Sequence, residues 1–261
     1  MKNILILGLG EVGSSVAGLY TSLTTFKGIY SLYYLDTHLK DISKDISYIK
    51  PVKDLIPLKV CMLHVCIPFS KRYMQIVTDC IRLYKPDGVC IHSTVDIGVT
   101  REIFEQTGAN IVHTPVMGLH PNLTESMQTF KKIIGPVNEK SEKVVVEHFN
   151  DLNVSCEVYK TPEDSEAAKL FSTSYYGHNI IFMQDVHNFC EENNLKFEDV
   201  YKKTNEIYNE GYEKMGLSHF KRPVLSYMGN GISGHCILPN WNILKDKFPL
   251  AKLGSEHCAN S

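Results

Sequence analysis

The hydrophobic positions fall into two rhythms. Over roughly the first 160 residues, short and nearly unbroken apolar runs alternate with stretches of helical spacing. The runs "NILILG" (3–8), "YSLYYLD" (30–36), "KVCMLHVCIP" (59–68), "DGVCIHST" (87–94), "ANIVHTPV" (109–116) and "KKIIGP" (131–136) predict strands. Gly10 to about Leu23 and "SKRYMQIVTDCIRLY" (70–84) predict helices. Strands apolar along their whole length suit a parallel sheet covered by helices on both faces.

The strand rhythm stops near 158–160. Thr161 is a good N-cap, Pro162 suits the first helical position, and Asp164 completes a T-x-x-D box. The helix they open runs to about Asn194, a length of about 45–50 Å at 1.5 Å per residue. "KFEDVYKKTNEIYNEGYEKM" (196–215) predicts another helix, and "NWNILKDKF" (240–248) a short one. The expected architecture is α/β: a Rossmann doubly wound sheet over residues 1–158, then an all-helical domain over 159–261 built on one long helix.

Composition narrows the function classes. A net charge of −2 without any long Lys/Arg run argues against nucleic acid as a partner. No apolar run approaches the roughly 20 residues that span a bilayer. The run in "MKNILILGLG" leads into a glycine turn, as a buried strand would and a secretory leader would not. Eight cysteines, several in strand-like runs, are expected to be reduced thiols in a cytoplasmic protein. No Cys-x-x-Cys pair or zinc-type Cys/His spacing occurs, so no metal is expected.

Two stretches match G-x-G-x-x-G: "GLGEVG" (8–13) and "GNGISG" (229–234). The first follows a strand and precedes a helix, the context that a pyrophosphate-binding turn requires. Gly8 would allow the tight turn, Gly10 the approach of the phosphates, and Gly13 close packing of helix on strand, with Glu11 and Val12 completing the turn. Asp36, ending the second strand 23 positions after Gly13, would accept from a ribose 2′-hydroxyl and repel a 2′-phosphate, favouring NAD. The second match has helices before it and no acid at the right distance, so it reads as a loop.

Four further segments carry a family resemblance. "HVCIPF" (64–69), "HSTVDIGVTREI" (92–103), "EDSEAAKLFSTSYYGHNIIFMQD" (163–185) and "GISGHCILPN" (231–240), together with "GLGEVG" and Asp36, resemble the UDP-glucose/GDP-mannose (nucleotide-sugar) dehydrogenases of the 6-phosphogluconate-dehydrogenase-like superfamily. The resemblance implies a catalytic Lys169 on the long helix and a catalytic Cys236 in the second glycine loop. It implies oxidation of a primary alcohol to a carboxylate with NAD, through an aldehyde captured by the cysteine. The residue types suit that chemistry: a thiol is both nucleophile and leaving group, and an ammonium stabilises an oxyanion.

Further roles follow from the resemblance and from position. Pro68, Ser93 and Thr94 are expected beside the cofactor. His113 ends a strand where open α/β sheets bind ligands; it, His120, Asn179 and His235 are expected near substrate. The chain also departs from the family. Thr173 stands where the family has Asn, one turn beyond the lysine, and is the expected third catalytic position. The acidic Pro-Glu-Phe segment is replaced by "HTPVMGLHPNLTES" (113–126). About 25 residues follow Cys236 in this sequence, so the family's C-terminal nucleotide-sugar-binding domain is not expected within it. A small-molecule substrate and a homodimer formed through the long helix are expected. Two alternatives stand beside the two-step oxidation. One is a single hydride transfer from a hydroxy acid, with Lys169 as acid/base and a carboxylate pocket including Lys132. The other is an NAD-binding protein without catalysis.

Overall fold

The computed structural model describes all residues except 24–25, 38–48, 53–58, 119–121, 230, 233–235 and 261, and only the backbone of 26–27 and 258–260. The chain divides into two compact units, Met1–Lys169 and Leu170–Ser261. The division falls inside the long helix rather than at its start.

The first unit is an α/β sheet. Its elements run β1 (Lys2–Leu7), α1 (Glu11–Thr21), α2 (Phe26–Ile29), β2 (Tyr30–Leu35), β3 (Lys50–Pro51), β4 (Val60–Val65), α3 (Tyr73–Tyr84), β5 (Gly88–Ile91), α4 (Val99–Thr107), β6 (Ile111–His113), α5 (Leu123–Thr129), β7 (Lys132–Pro136), α6 (Glu139–Asp151) and β8 (Cys156–Val158). The strand order is β3-β2-β1-β4-β5-β6-β7-β8. The strand order reverses beside β1, at the C-terminal ends where open α/β sheets take ligands.

The sheet is not wholly parallel. β7 runs antiparallel to β6, with Val112 opposite Pro136 and His113 opposite Gly135. The segment between them carries α5 out to α1, where Thr124 Oγ1 donates to the Ser15 carbonyl at 3.2 Å. An antiparallel neighbour needs no crossover helix packed on the sheet.

Alternation along the strands sorts the core into two faces. Ile4, Ile6, Met62, Cys90 and Val112 pack with α1 and α6. Leu5, Leu7, Leu63, Val65, Val89 and Ile91 pack with α3 and α4. This is why the strands read as continuous apolar runs.

The α1/α6 face also buries a row of polar rings. Tyr20 Oη lies 2.7 Å from His148 Nε2 and 2.5 Å from His64 Nε2, and His64 Nδ1 lies 2.8 Å from His92 Nε2. On the other side of β6, His113 is fully buried, with Nδ1 at 2.7 Å from Ser165 Oγ and Nε2 at 3.3 Å from the Ser93 carbonyl. Burial lowers His148 to about 4 and His113 to about 3.

The second unit is helical. It holds the rest of α7 (Pro162–Glu192), a π-helical turn (Glu198–Lys203) leading into α8 (Thr204–Lys214), α9 (Ile237–Leu244) and α10 (Pro249–Asn260). Its core gathers Leu170, Ile237, Trp241, Leu244 and Ala251. The chain's single tryptophan fills a slot made by two glycines: a Cβ at Gly177 would meet Trp241 Cζ2 at 2.5 Å, and one at Gly254 would meet it at 2.8 Å. Among the described residues no helix is long and apolar enough to cross a membrane.

Two measurements check this packing. Gly177→Ala is expected to destabilise the helical unit by about 1–3 kcal/mol, although alanine is the better helix former, because the added methyl overpacks the indole slot. Trp241 fluorescence during denaturant unfolding reads the change. His113 and His148 prefer to be neutral in the fold, with values depressed below about 6.5 in the unfolded chain. The unfolded state therefore takes up more protons below that value, so stability is fully present above it and is lost as pH falls towards about 4 and 3. Urea midpoints by circular dichroism should fall between pH 7 and pH 5, with each histidine contributing on the order of 2 kcal/mol.

Candidate functional site

The first glycine turn is built as the sequence requires. Gly8 has φ +89°, a conformation that side chains disfavour. A Cβ on Gly13 would stand 2.0 Å from the Gly8 carbonyl oxygen, so α1 can pack this closely on β1 only without one. A Cβ at Gly10 would meet nothing within 4 Å, and Gly10 and Glu11 are exposed, with Val12 partly buried behind them. The open side of the turn is therefore the first turn of α1, where unsatisfied amides favour an anion.

Asp36 leaves the end of β2 and accepts from the Leu9 amide, Oδ2 to N 2.8 Å. One carboxylate oxygen thus braces the turn from the position where a ribose would be read.

The β4 and β5 ends lie alongside. Ser93 is buried, and its hydroxyl donates to the Ile67 carbonyl at 2.6 Å. It fixes the loop that displays exposed Pro68. Thr94 is half-buried next to it. The structure therefore gives Ser93 a bracing contact, where sequence reasoning expected a ligand contact.

The first turns of α7 are fastened to this end of the sheet. Arg101 pairs with Glu163 through two contacts of 2.5 and 2.9 Å. The buried Glu166 carboxylate accepts from the Gly98 and Thr100 amides at 2.6 and 2.9 Å, closing the N-terminus of α4. Burial raises its pKa, against the hydrogen bonds that favour the charged form. Sequence reasoning passed over Glu166; its signal was an acid three residues before Lys169, facing the same way on the helix.

Lys169 follows, half-buried, with Nζ donating to the Val116 carbonyl at 2.9 Å. Lys132 reaches the same backbone from β7, donating to the Thr114 and Pro115 carbonyls at 3.0 and 2.8 Å. Two lysines thus hold three successive carbonyls. Lys132 is 3% exposed and burial lowers its pKa to about 7. It is an interior brace, not the lining of a carboxylate pocket. His113 is likewise absorbed by the fold, both ring nitrogens engaged, and is not turned to a substrate. Fixed carbonyls beside a half-buried ammonium are a suitable setting for polarising an alcohol oxygen.

In the second unit Thr173 is half-buried, and the Asn179 side chain donates to the Tyr175 carbonyl one turn back, at 2.8 Å. The second glycine stretch has no strand before it among the described residues. Gln184 of α7 donates to the Gly229 and Gly231 carbonyls at 2.9 and 2.7 Å. Cys236 is exposed at the N-cap position of α9. Pro239 lies in the first turn of that helix, where its missing N–H is harmless, and not in a loop. His120 and His235 lie outside the described residues.

No protein-family model matches the chain. It is similar to the UDP-N-acetyl-D-mannosamine dehydrogenase of Methanocaldococcus jannaschii, 23% identical over 292 aligned positions, covering 97% of this chain and 63% of that protein. The chain thus spans less than two thirds of the curated relative it matches. Its fold is similar to that of UDP-D-ManNAc dehydrogenase from Pyrococcus horikoshii, with a TM-score of 0.73, 17% identity, and coverage of 99% of this chain and 68% of that one. It is also similar to 3-hydroxyisobutyrate dehydrogenase of Mycobacterium tuberculosis, with a TM-score of 0.70, 13% identity, and coverage of 100% and 93%. Across the length it spans, the chain is similar in sequence to one nucleotide-sugar dehydrogenase and in fold to others.

Proposed function

We propose that the chain is an NAD-dependent dehydrogenase that oxidises an alcohol carbon, in the manner of the nucleotide-sugar dehydrogenases. The observation that carries this reading is the glycine turn: Gly13 packed against the Gly8 carbonyl, Gly10 left open, and Asp36 braced on Leu9. These residues fit a dinucleotide, the α1 amides receiving the pyrophosphate and the Asp36 carboxylate the adenosine ribose. The cofactor supplies the hydride acceptor. Lys169 holds the substrate oxygen and takes part in moving its proton. In the two-step version Cys236 captures the aldehyde as a thiohemiacetal; loss of a second hydride to a second NAD would give a thioester, which water hydrolyses to the acid with return of the thiol.

A second reading draws on one observation, that 3-hydroxyisobutyrate dehydrogenase is matched over 93% of its own length. In it a single hydride step suffices, and Cys236 has no chemical role.

The long helix also supports a homodimer. Phe171, Tyr175, Tyr176, Phe182 and Phe189 are all exposed along α7, at 41%, 65%, 53%, 61% and 57%. Tyr175, Phe182 and Phe189 recur every seven residues and form one stripe, which a second copy would cover.

Four variants test these proposals. Isothermal titration should show NAD bound at least about tenfold more tightly than NADP, with Asp36→Ala reducing the difference; equal binding by the unaltered chain would sink the assignment. Lys169→Ala should lower the rate of NADH formation by about 10²–10⁴ while leaving NAD affinity in place. Cys236→Ser should abolish acid production if the oxidation has two steps, and should leave NADH formation unchanged if it has one. Phe182→Glu should halve the mass seen by light scattering.

A further inference from the structure

Four donor side chains of the first unit meet on one face of the sheet. Met62 and His64 lie on β4, and Cys90 lies on β5. His92 follows two residues later. Residues two apart on a strand share a face, and His64 stands opposite Cys90 in the register. One ring nitrogen of His64, one of His92 and Cys90 Sγ all lie within 4.8 Å of one another. Cys90 Sγ is 3.6 Å from Met62 Sδ. Gly88 lies opposite Met62, and a Cβ there would meet Met62 Cε at 2.9 Å and Sδ at 3.0 Å. The missing side chain is what lets the thioether fold in towards the thiol.

All four are buried, at 0% for His64 and Cys90, 2% for Met62 and 3% for His92. The orientation of His64 is set from behind. Its Nε2 meets Tyr20, which His148 holds in turn, leaving Nδ1 directed at His92. Hydrogen bonding of the far nitrogen to an outer partner is what orients a metal-ligating histidine. No expected ligand spacing appears in the sequence, because the donors come from two neighbouring strands and not from one loop.

We propose that Met62, His64, Cys90 and His92 form a buried site for a soft monovalent metal ion, Cu(I). Thiolate, thioether and imidazole are the donors that Cu(I) prefers, and hard cations prefer oxygen. Charge selects the same ion. Binding displaces one proton from Cys90, which leaves to solvent. Cu(I) and one thiolate then sum to zero, which a dry apolar interior accepts. A divalent ion would leave a net positive charge in a core that already buries the Lys132 ammonium, whose field reaches Cys90. The proposal does not depend on the dehydrogenase reading, since binding requires neither cofactor nor substrate.

The test uses the full chain, reduced and anaerobic, titrated with Cu(I) against a chromogenic Cu(I) chelator. One equivalent should be withdrawn per chain, and X-ray absorption should show sulfur and imidazole nitrogen around copper. Cys90→Ala should lose that equivalent. Met62→Leu, which keeps the core volume, should retain fold and weaken binding at least about tenfold. A tenfold excess of Zn(II) should not displace copper. Failure to withdraw copper, a spectrum lacking imidazole, or undiminished binding in Cys90→Ala would overturn the site. If Cys90→Ala does not fold, undiminished binding in Met62→Leu overturns the four-donor assignment, and displacement by Zn(II) overturns the choice of ion.

Discussion

The seating of the first two turns of α7 on the sheet is the constraint from which the candidate site follows. Glu163, Glu166 and Lys169 recur at helical spacing, so one face of the helix carries two acids and an amine. The acids take the Arg101 side chain and the Gly98 and Thr100 amides; the amine takes the Val116 carbonyl. The contacts of Glu166 satisfy backbone donors that a buried helix start would otherwise leave unpaired. They also set the depth at which Lys169 emerges. This explains why the compact division falls after Lys169 and not at the helix's first residue. By its contacts the helix start belongs to the sheet.

Buried polarity in the first unit is organised around the same end of the sheet. Lys132 has no described acid as its partner; two carbonyls accept from it, and burial lowers its pKa to about 7. Those carbonyls belong to the segment leaving β6, whose next carbonyl receives Lys169. His113 joins Ser93 on β5's extension to Ser165 on α7. Each of these groups sits where β4, β5 and β6 stop, and backbone that no longer pairs in the sheet must find partners there. The functional end is polar because the strands end, and the side chains present are those that satisfy the loose backbone.

The glycine turn was legible in the sequence because its geometry is local: strand, turn, helix and acid lie within one short stretch, and each leaves a residue type behind. The long helix was legible through Thr161, Pro162 and Asp164, and the structure confirms the cap, with the Asp164 amide donating to Thr161 Oγ1. Other features depended on tertiary contacts. The reversal of β7 follows from where α5 packs, which no periodicity encodes. The burial of His113 and Lys132 depends on elements far apart in the chain. Pro239 carries no clear signal in the sequence, since a loop and a first helical turn both tolerate proline. His64, Cys90 and His92 showed no ligand spacing because register, not sequence separation, brings them together.

The two dehydrogenase readings differ in which unit must act. The glycine turn, Asp36 and Lys169 all belong to the first unit, so the proposed single hydride step would draw its named residues from that unit alone. Cys236 belongs to the second, at the start of α9, in a stretch that α7 holds through Gln184. Capture of an aldehyde therefore requires the helical unit to contribute chemistry. The single step requires of it only shape and substrate contacts. An exposed thiol at a helix N-terminus meets the access requirement of a nucleophile, which a buried thiol does not: burial pushes Cys80 up to about 12. Of the described cysteines Cys236 is the one the fold leaves at the surface.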